Sequence, residues 1–258
     1  MPPEHDFPRA RAVSAVYWLE QSHADVPVEN DWLSANEVVR QNTLRFPNRR
    51  ADWRLGRWTA KLAASAFLNT AQSHLNLATI EICPEASGAP QMFCGGKRVQ
   101  VAISLTHRDG VAACAIGRSS IALGCDLERI EPRTKAFVAD YFTEDEQALV
   151  TRTPLPDQLW LIPLLWSAKE SLLKAMHTGL RLDTRSVNVI LLPSSQSREG
   201  WSLLAVHSSD GVVFPGWWQR DDAYVRTAVS RSQIPPPIQL DKTGFDPRQK
   251  VVPAFSEP

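Results

Sequence analysis

The sequence predicts a mixed α/β fold, and three stretches carry that expectation. Residues 121–129, Ile-Ala-Leu-Gly-Cys-Asp-Leu-Glu-Arg, alternate with the period of a β-strand: Ile121, Leu123, Cys125 and Leu127 face one way, Ala122, Gly124, Asp126 and Glu128 the other. Ser34 followed by Glu37, and Thr143 followed by Glu146, have the spacing of capping boxes that open helices. Residues 166–176 read as a further helix, with Gly179 beyond it as a C-cap candidate.

In chain order, residues 13–19 are rich in β-formers and read as a strand. A short helix follows over 31–42, capped by Ser34. The passage from Arg45 to Lys61 is basic and runs into an apolar helix over 62–75. Within it Arg50, Arg54, Arg57 and Lys61 share one helical face. Singly each is a solvated surface charge; as a set they could hold a phosphate, whose oxygens match the guanidinium fork. From Ala78 the pattern turns to strands at 79–83, 99–105 and 111–116, with Ser87-Gly88-Ala89-Pro90 as a turn. Residues 104–110 form a tight connection between the last two strands, which puts His107 at a strand end beside Ser104 and Thr106.

After the 121–129 strand, a proline-containing turn at 130–134 leads to a helix over 137–152. Pro154 and Pro156 interrupt it, and Pro163 predicts that the following helix starts there rather than at Asp157, or bends. Strands at 187–192, 201–207, 212–218 and 224–230 come next. The proline-rich tail from Pro235 to Pro258 lacks periodicity and is expected to lie extended over the surface or to be disordered.

A chain of 258 residues with 43% hydrophobic content can bury a large core, as one domain or two small ones. Lys plus Arg balance Asp plus Glu at 28 each, without the basic excess of a nucleic-acid binder. Residues 1–11 contain no apolar segment of the secretory kind, and the longest apolar run, 159–166, is far short of a membrane span. A soluble cytoplasmic protein without membrane or nucleic-acid partners is therefore expected. Cys83, Cys94, Cys114 and Cys125 form no Cys-x-x-Cys pair and read as buried reduced thiols.

The residues that point to chemistry are acidic. Asp126 and Glu128 stand about 7 Å apart along one edge of a strand, and two like charges so close repel unless a cation or basic groups lie between them. Mg²⁺ accepts one or two carboxylates and completes its octahedron with water and substrate phosphates, so the pair hints at a phosphate-bearing substrate. An isolated Asp-x-Glu is most often just the solvated end of a strand. Trp166, Glu170 and Lys174 share one stripe of the later helix. That stripe is either an ordinary surface pair or a source of a third carboxylate, with Lys169 or Lys174 holding a phosphate.

Taken together these motifs resemble the surfactin-synthetase-activating type of 4′-phosphopantetheinyl transferase over most of residues 13–230. The resemblance rests on Arg49-Arg50 with Leu55-Gly56-Arg57, Gly88-Ala89-Pro90, Ser104-Leu105-Thr106-His107, Gly124-Cys125-Asp126-Leu127-Glu128, and residues 166–174 with Gly179-Leu180, which stand in that family's order. It implies transfer of the phosphopantetheine arm of coenzyme A to a serine of an apo acyl or peptidyl carrier protein, with release of 3′,5′-ADP. It also implies a pseudodimer of two similar halves, each a small antiparallel sheet with a long helix, acting as a monomer with the cofactor cleft between the halves. The halves would be residues 1–119, gripping the nucleotide, and 120–232, supplying the metal ligands, followed by the tail 233–258.

By the same resemblance Asp126, Glu128 and Glu170 match ligands of Mg²⁺, or Mn²⁺ in its place, and Glu170 matches the general base, acting directly or through water. Lys174 and Lys169 match lysines near the pyrophosphate, His107 a phosphate-holding histidine next to Thr106, and Arg49 and Arg57 residues reaching the 3′-phosphate. Gly88 and Pro90 match the turn beneath the adenosine. Many members carry a lysine in that turn where this chain has Ser87 and Ala89. Two other readings use the same residues: a Mg²⁺-dependent pyrophosphatase with water as acceptor, and a coenzyme A or carrier-binding relative without turnover.

Overall fold

The computed structural model describes residues 15–68, 74–193 and 200–244. Its first half contains strand β1 (Val16–Ser22), helices α1 (Ala35–Asn42), α2 (Pro47–Leu68) and α3 (His74–Thr79), and strands β2 (Ile80–Pro84), β3 (Pro90–Cys94), β4 (Lys97–Val99), β5 (Val101–Arg108) and β6 (Val111–Arg118). The second half contains β7 (Leu123–Arg129), helices α4 (Lys135–Tyr141), α5 (Glu144–Arg152) and α6 (Leu155–Ala175), then β8 (Asn188–Leu191), β9 (Ser202–His207), β10 (Val213–Arg220) and β11 (Tyr224–Ser230), and the tail beyond it contains β12 (Ile238–Gln239). No helix among the described residues is long and apolar enough to cross a membrane.

The strands form a sheet of order β12-β1-β6-β5, a sheet of order β7-β11-β10-β9-β8, and the small sheet β2-β3-β4. All pairings are antiparallel except β1 with β12. The two larger sheets face each other across Val16, Trp18, Ala113 and Ala115 on one side and Leu123, Cys125, Leu127 and Ala228 on the other. The outer face of the first sheet is covered by α2 through Leu19, Cys114, Ile116 and Ala60. The outer face of the second is covered by α6 through Leu165, Ala168, Leu172 and Val229. The result is a helix, sheet, sheet, helix stack in which both faces of each of the two larger sheets have an apolar partner.

Both capping boxes form as spaced, Ser34 with Glu37 and Thr143 with Glu146. Each capping glutamate does a second job. Glu37 is ion-paired with Lys61 of α2, and its Oε1 accepts the Ile82 amide of β2. Lys61 gives its other protons to the carbonyls of Trp32 and Leu77. Glu146 is ion-paired with Lys169 of α6, its Oε1 accepts the Val189 amide of β8, and Lys169 donates to the carbonyls of Thr184 and Val187. An aromatic ring lies 5.8 Å from each ammonium, Trp32 in one half and Phe142 in the other. Burial pushes both lysines down, and the paired glutamate opposes this. The same cap, buried pair and strand clamp thus occur once in each half.

Several elements differ from the sequence expectation. The basic passage 47–61 is the first part of α2 itself: Arg50 donates to the Leu44 carbonyl and Arg54 to those of Val28 and Glu29, so these guanidinia cap backbone oxygens instead of solvating a loop. The expected end of that helix, at 75, falls beyond residues 69–73, which lie outside the described residues. The 137–152 helix is two, because buried Phe142 inserts between them and Thr143 caps the second. Helix α6 starts at Leu155 and continues through Pro163, which is buried. Its C-terminal left-handed position is His177, φ 56°, not Gly179; the Thr178 and His177 amides close onto the Leu173 and Lys174 carbonyls in a Schellman arrangement. The tail is anchored where described, with β12 paired to β1 and Ile234 and Leu240 buried. Residues 1–14 and 245–258 lie outside the described residues.

Candidate active site

Where the two packed sheets meet, their edge strands β5 and β7 lie beside each other, and the acidic residues sit on that seam. Ser104 stitches it: its hydroxyl accepts the Cys125 amide at 2.9 Å, and its carbonyl accepts the Cys125 thiol at 3.3 Å. Strand β5 continues to Arg108, and the turn is only Asp109-Gly110, both with positive φ. His107 is therefore inside the strand. Thr106 and Arg108 point toward β7, whereas His107, of alternate parity, leaves the opposite face and is exposed.

The face of β7 expected to be solvated is buried, because α6 lies directly on it. Gly124 permits this: a Cβ there would sit 1.8 Å from the Ser171 carbonyl oxygen and 2.7 Å from the Ala175 amide nitrogen. A cluster of hydroxyls fixes α6 to β11 beside it, with Thr227 Oγ1 2.9 Å from Ser167 Oγ and 2.7 Å from Ser171 Oγ. Glu170 and Lys174 are thereby held over the strand. Lys174 donates to Asp126 Oδ1 at 2.7 Å and to the Cys125 carbonyl at 3.0 Å, and Thr106 Oγ1 donates to the same Oδ1 at 2.8 Å. The other oxygen, Oδ2, is buried and has no hydrogen-bond partner among the described residues.

Burial, then the Asp126 carboxylate, raises Glu170 above the usual carboxylate range, with Lys174 opposing. Burial would depress the Lys174 ammonium, but Asp126 beside it keeps it raised. Glu128 is pushed up to about 7, first by burial and then by Asp126, against the pull of Arg108 and Arg133 and a hydrogen bond from Trp166. Its Oε2 lies 2.8 Å from Arg133 Nη2 and 3.8 Å from Arg108 Nε.

The expected convergence of Asp126, Glu128 and Glu170 around one cation is not assembled. Among the described residues no three His, Cys, Asp or Glu side chains are grouped to hold a metal ion, and the physical reason at Glu128 is its engagement by Arg133. The pair Asp126 and Glu170 still suits a hard divalent cation. It offers carboxylate oxygens, and one of them, Asp126 Oδ2, is desolvated and unmatched, a costly state that a cation relieves.

Lys169 is not at the site. It is fully buried and spends its protons on Glu146 and two carbonyls, so it has no donor for a phosphate. Arg49 is exposed at the start of α2. Arg57 lies over the Trp53 ring at 5.1 Å; burial depresses its guanidinium, while Glu37 and Cys83 oppose that. The turn forms as expected, with Gly88 at φ 90° and its amide on the Glu85 carbonyl. Pro90 borders a cleft of about 390 Å³ walled by Met92 and Ile103 from the first half and by Leu123, Ala175 and His177 from the second. Sequence reasoning missed Arg133 and Thr227, and it named Ser104 as a neighbour of His107 toward a phosphate, not as the link to Cys125. Arg133 lies in the proline-containing turn at 130–134 and Thr227 in the strand expected at 224–230, but neither pattern names its partner.

Residues 122–212 match the family model of the 4′-phosphopantetheinyl transferase superfamily. The matched segment includes Asp126, Glu128, Glu170 and Lys174. No curated protein matches the chain.

Proposed function

We propose that the protein transfers the 4′-phosphopantetheine group of coenzyme A to a serine of an apo acyl or peptidyl carrier protein and releases 3′,5′-ADP. The observation that carries this reading is Lys174 and Glu170 of α6 held over Asp126 of β7, inside the segment that matches the superfamily. The surfactin-synthetase-activating type is the closer reading. It is supported by the Gly88 to Pro90 turn, by the cleft between halves, and by the cap and buried pair repeated in each half, as a pseudodimer requires.

Phosphoryl-type transfer asks mainly for positioning and for neutralisation of charge on non-bridging oxygens. The Lys174 ammonium supplies one fixed positive charge, oriented by Asp126 and the Cys125 carbonyl. Thr106 holds the Asp126 carboxylate from the other side. Glu170 would take the serine proton directly or through a water; burial raises its carboxyl above the usual range, and a cation held beside it would oppose that shift. Asp126, Glu170 and Glu128 would hold Mg²⁺ or Mn²⁺, which when bound neutralises charge on the pyrophosphate. The 1–119 half would grip the nucleotide, Arg57 and Arg49 lying on the helix packed against the small sheet and Pro90 under the adenosine. His107, exposed within β5 on the face turned away from β7, would hold a phosphate only of a cofactor that reaches round that edge.

The test is to incubate the protein with coenzyme A, Mg²⁺ and an apo carrier protein and to weigh the carrier by mass spectrometry. A gain of one phosphopantetheine is expected. Free phosphopantetheine with an unmodified carrier would replace transfer by hydrolysis, and coenzyme A binding without either product would remove turnover altogether.

A further inference from the structure

Three hydroxyl side chains lie where α6 crosses β11, and none reaches solvent: Ser167, Ser171 and Thr227 are each 0% exposed. The contact around them is apolar, built from Leu165, Ala168, Leu172 and Val229. Apolar packing is non-directional, so it resists lifting the helix off the sheet more than it resists sliding or turning it. Hydrogen bonds are directional, and a buried set that is satisfied in one arrangement selects that arrangement. Thr227 Oγ1 is the centre of this set, 2.9 Å from Ser167 Oγ and 2.7 Å from Ser171 Oγ, and the Thr227 carbonyl accepts from Ser171 Oγ at 3.3 Å.

The place of Thr227 in the sheet gives these bonds a consequence for the site. Thr227 is the cross-strand partner of Asp126, and the two share the face that α6 covers. Ser171 follows Glu170 directly, and its carbonyl is the one that lies over Gly124. The helix turn that carries Glu170 is thus gripped by β7 through Gly124 and by β11 through Thr227, level with Asp126. The first half offers a comparison. Two residues before and two after its buried lysine, Lys61, stand Thr59 and Ala63, where α6 has Ser167 and Ser171 about Lys169. Thr59 is equally buried, but its hydroxyl donates to the Leu55 carbonyl of its own helix, and Ala63 has none to give. At these two places α2 sends no hydroxyl proton to its sheet, so the link accompanies the carboxylates and not the helix-on-sheet packing common to both halves. We propose that Thr227 is a positioning residue whose hydroxyl sets the separation of Glu170 from Asp126, and with it the affinity for the cation that this pair would hold. The inference rests on the reading of Asp126 and Glu170 as the cation-holding pair of a transferase.

The test uses the full chain with coenzyme A present, Mn²⁺ followed by electron paramagnetic resonance, and urea unfolding. Thr227→Val keeps the shape and removes the hydroxyl, whereas Thr227→Ser keeps the hydroxyl and removes a methyl group. Thr227→Val is expected to weaken Mn²⁺ binding about tenfold and to slow carrier modification about tenfold, with the KM for coenzyme A within about twofold. Thr227→Ser is expected to unfold at lower urea, through the small cavity it leaves, yet to keep Mn²⁺ affinity and rate within about twofold of wild type. A part in folding alone would move the urea midpoints and leave Mn²⁺ binding by the folded protein alike in all three. Mn²⁺ affinity unchanged in Thr227→Val, an equal loss in Thr227→Ser, or no Mn²⁺ bound by the wild type overturns the proposal. Weakened Mn²⁺ binding in Thr227→Val alone, together with no modification of an apo carrier by the wild type, would uphold the role of Thr227 and sink the transferase reading.

Discussion

Gly124→Ala tests whether the contact of α6 with β7 sets the active site. The added Cβ would meet the Ser171 carbonyl oxygen at 1.8 Å and must move to at least 3.0 Å, a retreat of about 1.2 Å. The obstacle is backbone, so no rotamer change relieves it, and Leu165, Ala168 and Leu172, packed in the core between α6 and the same sheet, resist its lifting away. Overpacking of this kind costs about 3 kcal/mol, or roughly 6–12 °C of melting temperature in a chain of this size. The same retreat stretches the 2.7 Å contact of Lys174 with Asp126 and displaces Glu170, and a misplacement of about 1 Å typically costs on the order of 10²-fold in rate. Urea unfolding and the rate of carrier modification, measured at a temperature where the variant is folded, read the two effects separately. A variant within about 0.5 kcal/mol and twofold of wild type would refute the claim that close approach at Gly124 positions the site.

Lys169→Met leaves Glu146 charged and buried and is expected to cost about 3–5 kcal/mol in chemical denaturation. The KM for coenzyme A of the folded variant should stay near wild type, and a large rise would return Lys169 to the cofactor. Glu170→Gln is expected to lower carrier modification by about 10²–10⁴-fold with coenzyme A binding retained by calorimetry, and near-normal turnover would remove Glu170 from the mechanism. Burial, then Glu81, pushes the Cys83 thiol up to about 12 from an ordinary 9.0, so at pH 8 it holds about 10³-fold less thiolate than a free cysteine. Iodoacetamide should label it far more slowly in the native protein than in urea; equal rates would contradict its folded environment.

The motifs that rest on short-range spacing were legible in the sequence: both capping boxes, the Gly88 turn, and the alternation over 121–129. What was not legible depends on partners distant in sequence. Nothing local shows that Lys169 pairs with Glu146, or that Arg50 and Arg54 close backbone carbonyls, so both were open to a phosphate reading. The start of α6 was missed because Pro163 disfavours a helix locally by about 3 kcal/mol, a cost offset by burial of Leu161, Leu164 and Leu165 around it. The three carboxylates were placed correctly on β7 and α6. Their convergence was not, because Arg133 reaches Glu128 from the proline-containing turn at 130–134, whose sequence marks the turn and not the partner of its arginine.

The repeat of the buried pair also shows where the two long helices differ. Counted from Lys169, the next residue is Glu170, then Ser171, and Lys174 lies one turn on; counted from Lys61, the same places hold Leu62, Ala63 and Ala66. Leu62 and Ala63 are buried and Ala66 packs against the same core, so the first long helix uses for packing the stripe that the second uses for charge. The scaffold is present twice and the carboxylate and ammonium set once. A titration with Mn²⁺ in the presence of coenzyme A should therefore saturate at one ion per chain and lose that ion in Asp126→Asn. Two equivalent ions per chain would mean that the first half carries a site of its own, and the division of labour argued from Leu62 and Ala66 would fail.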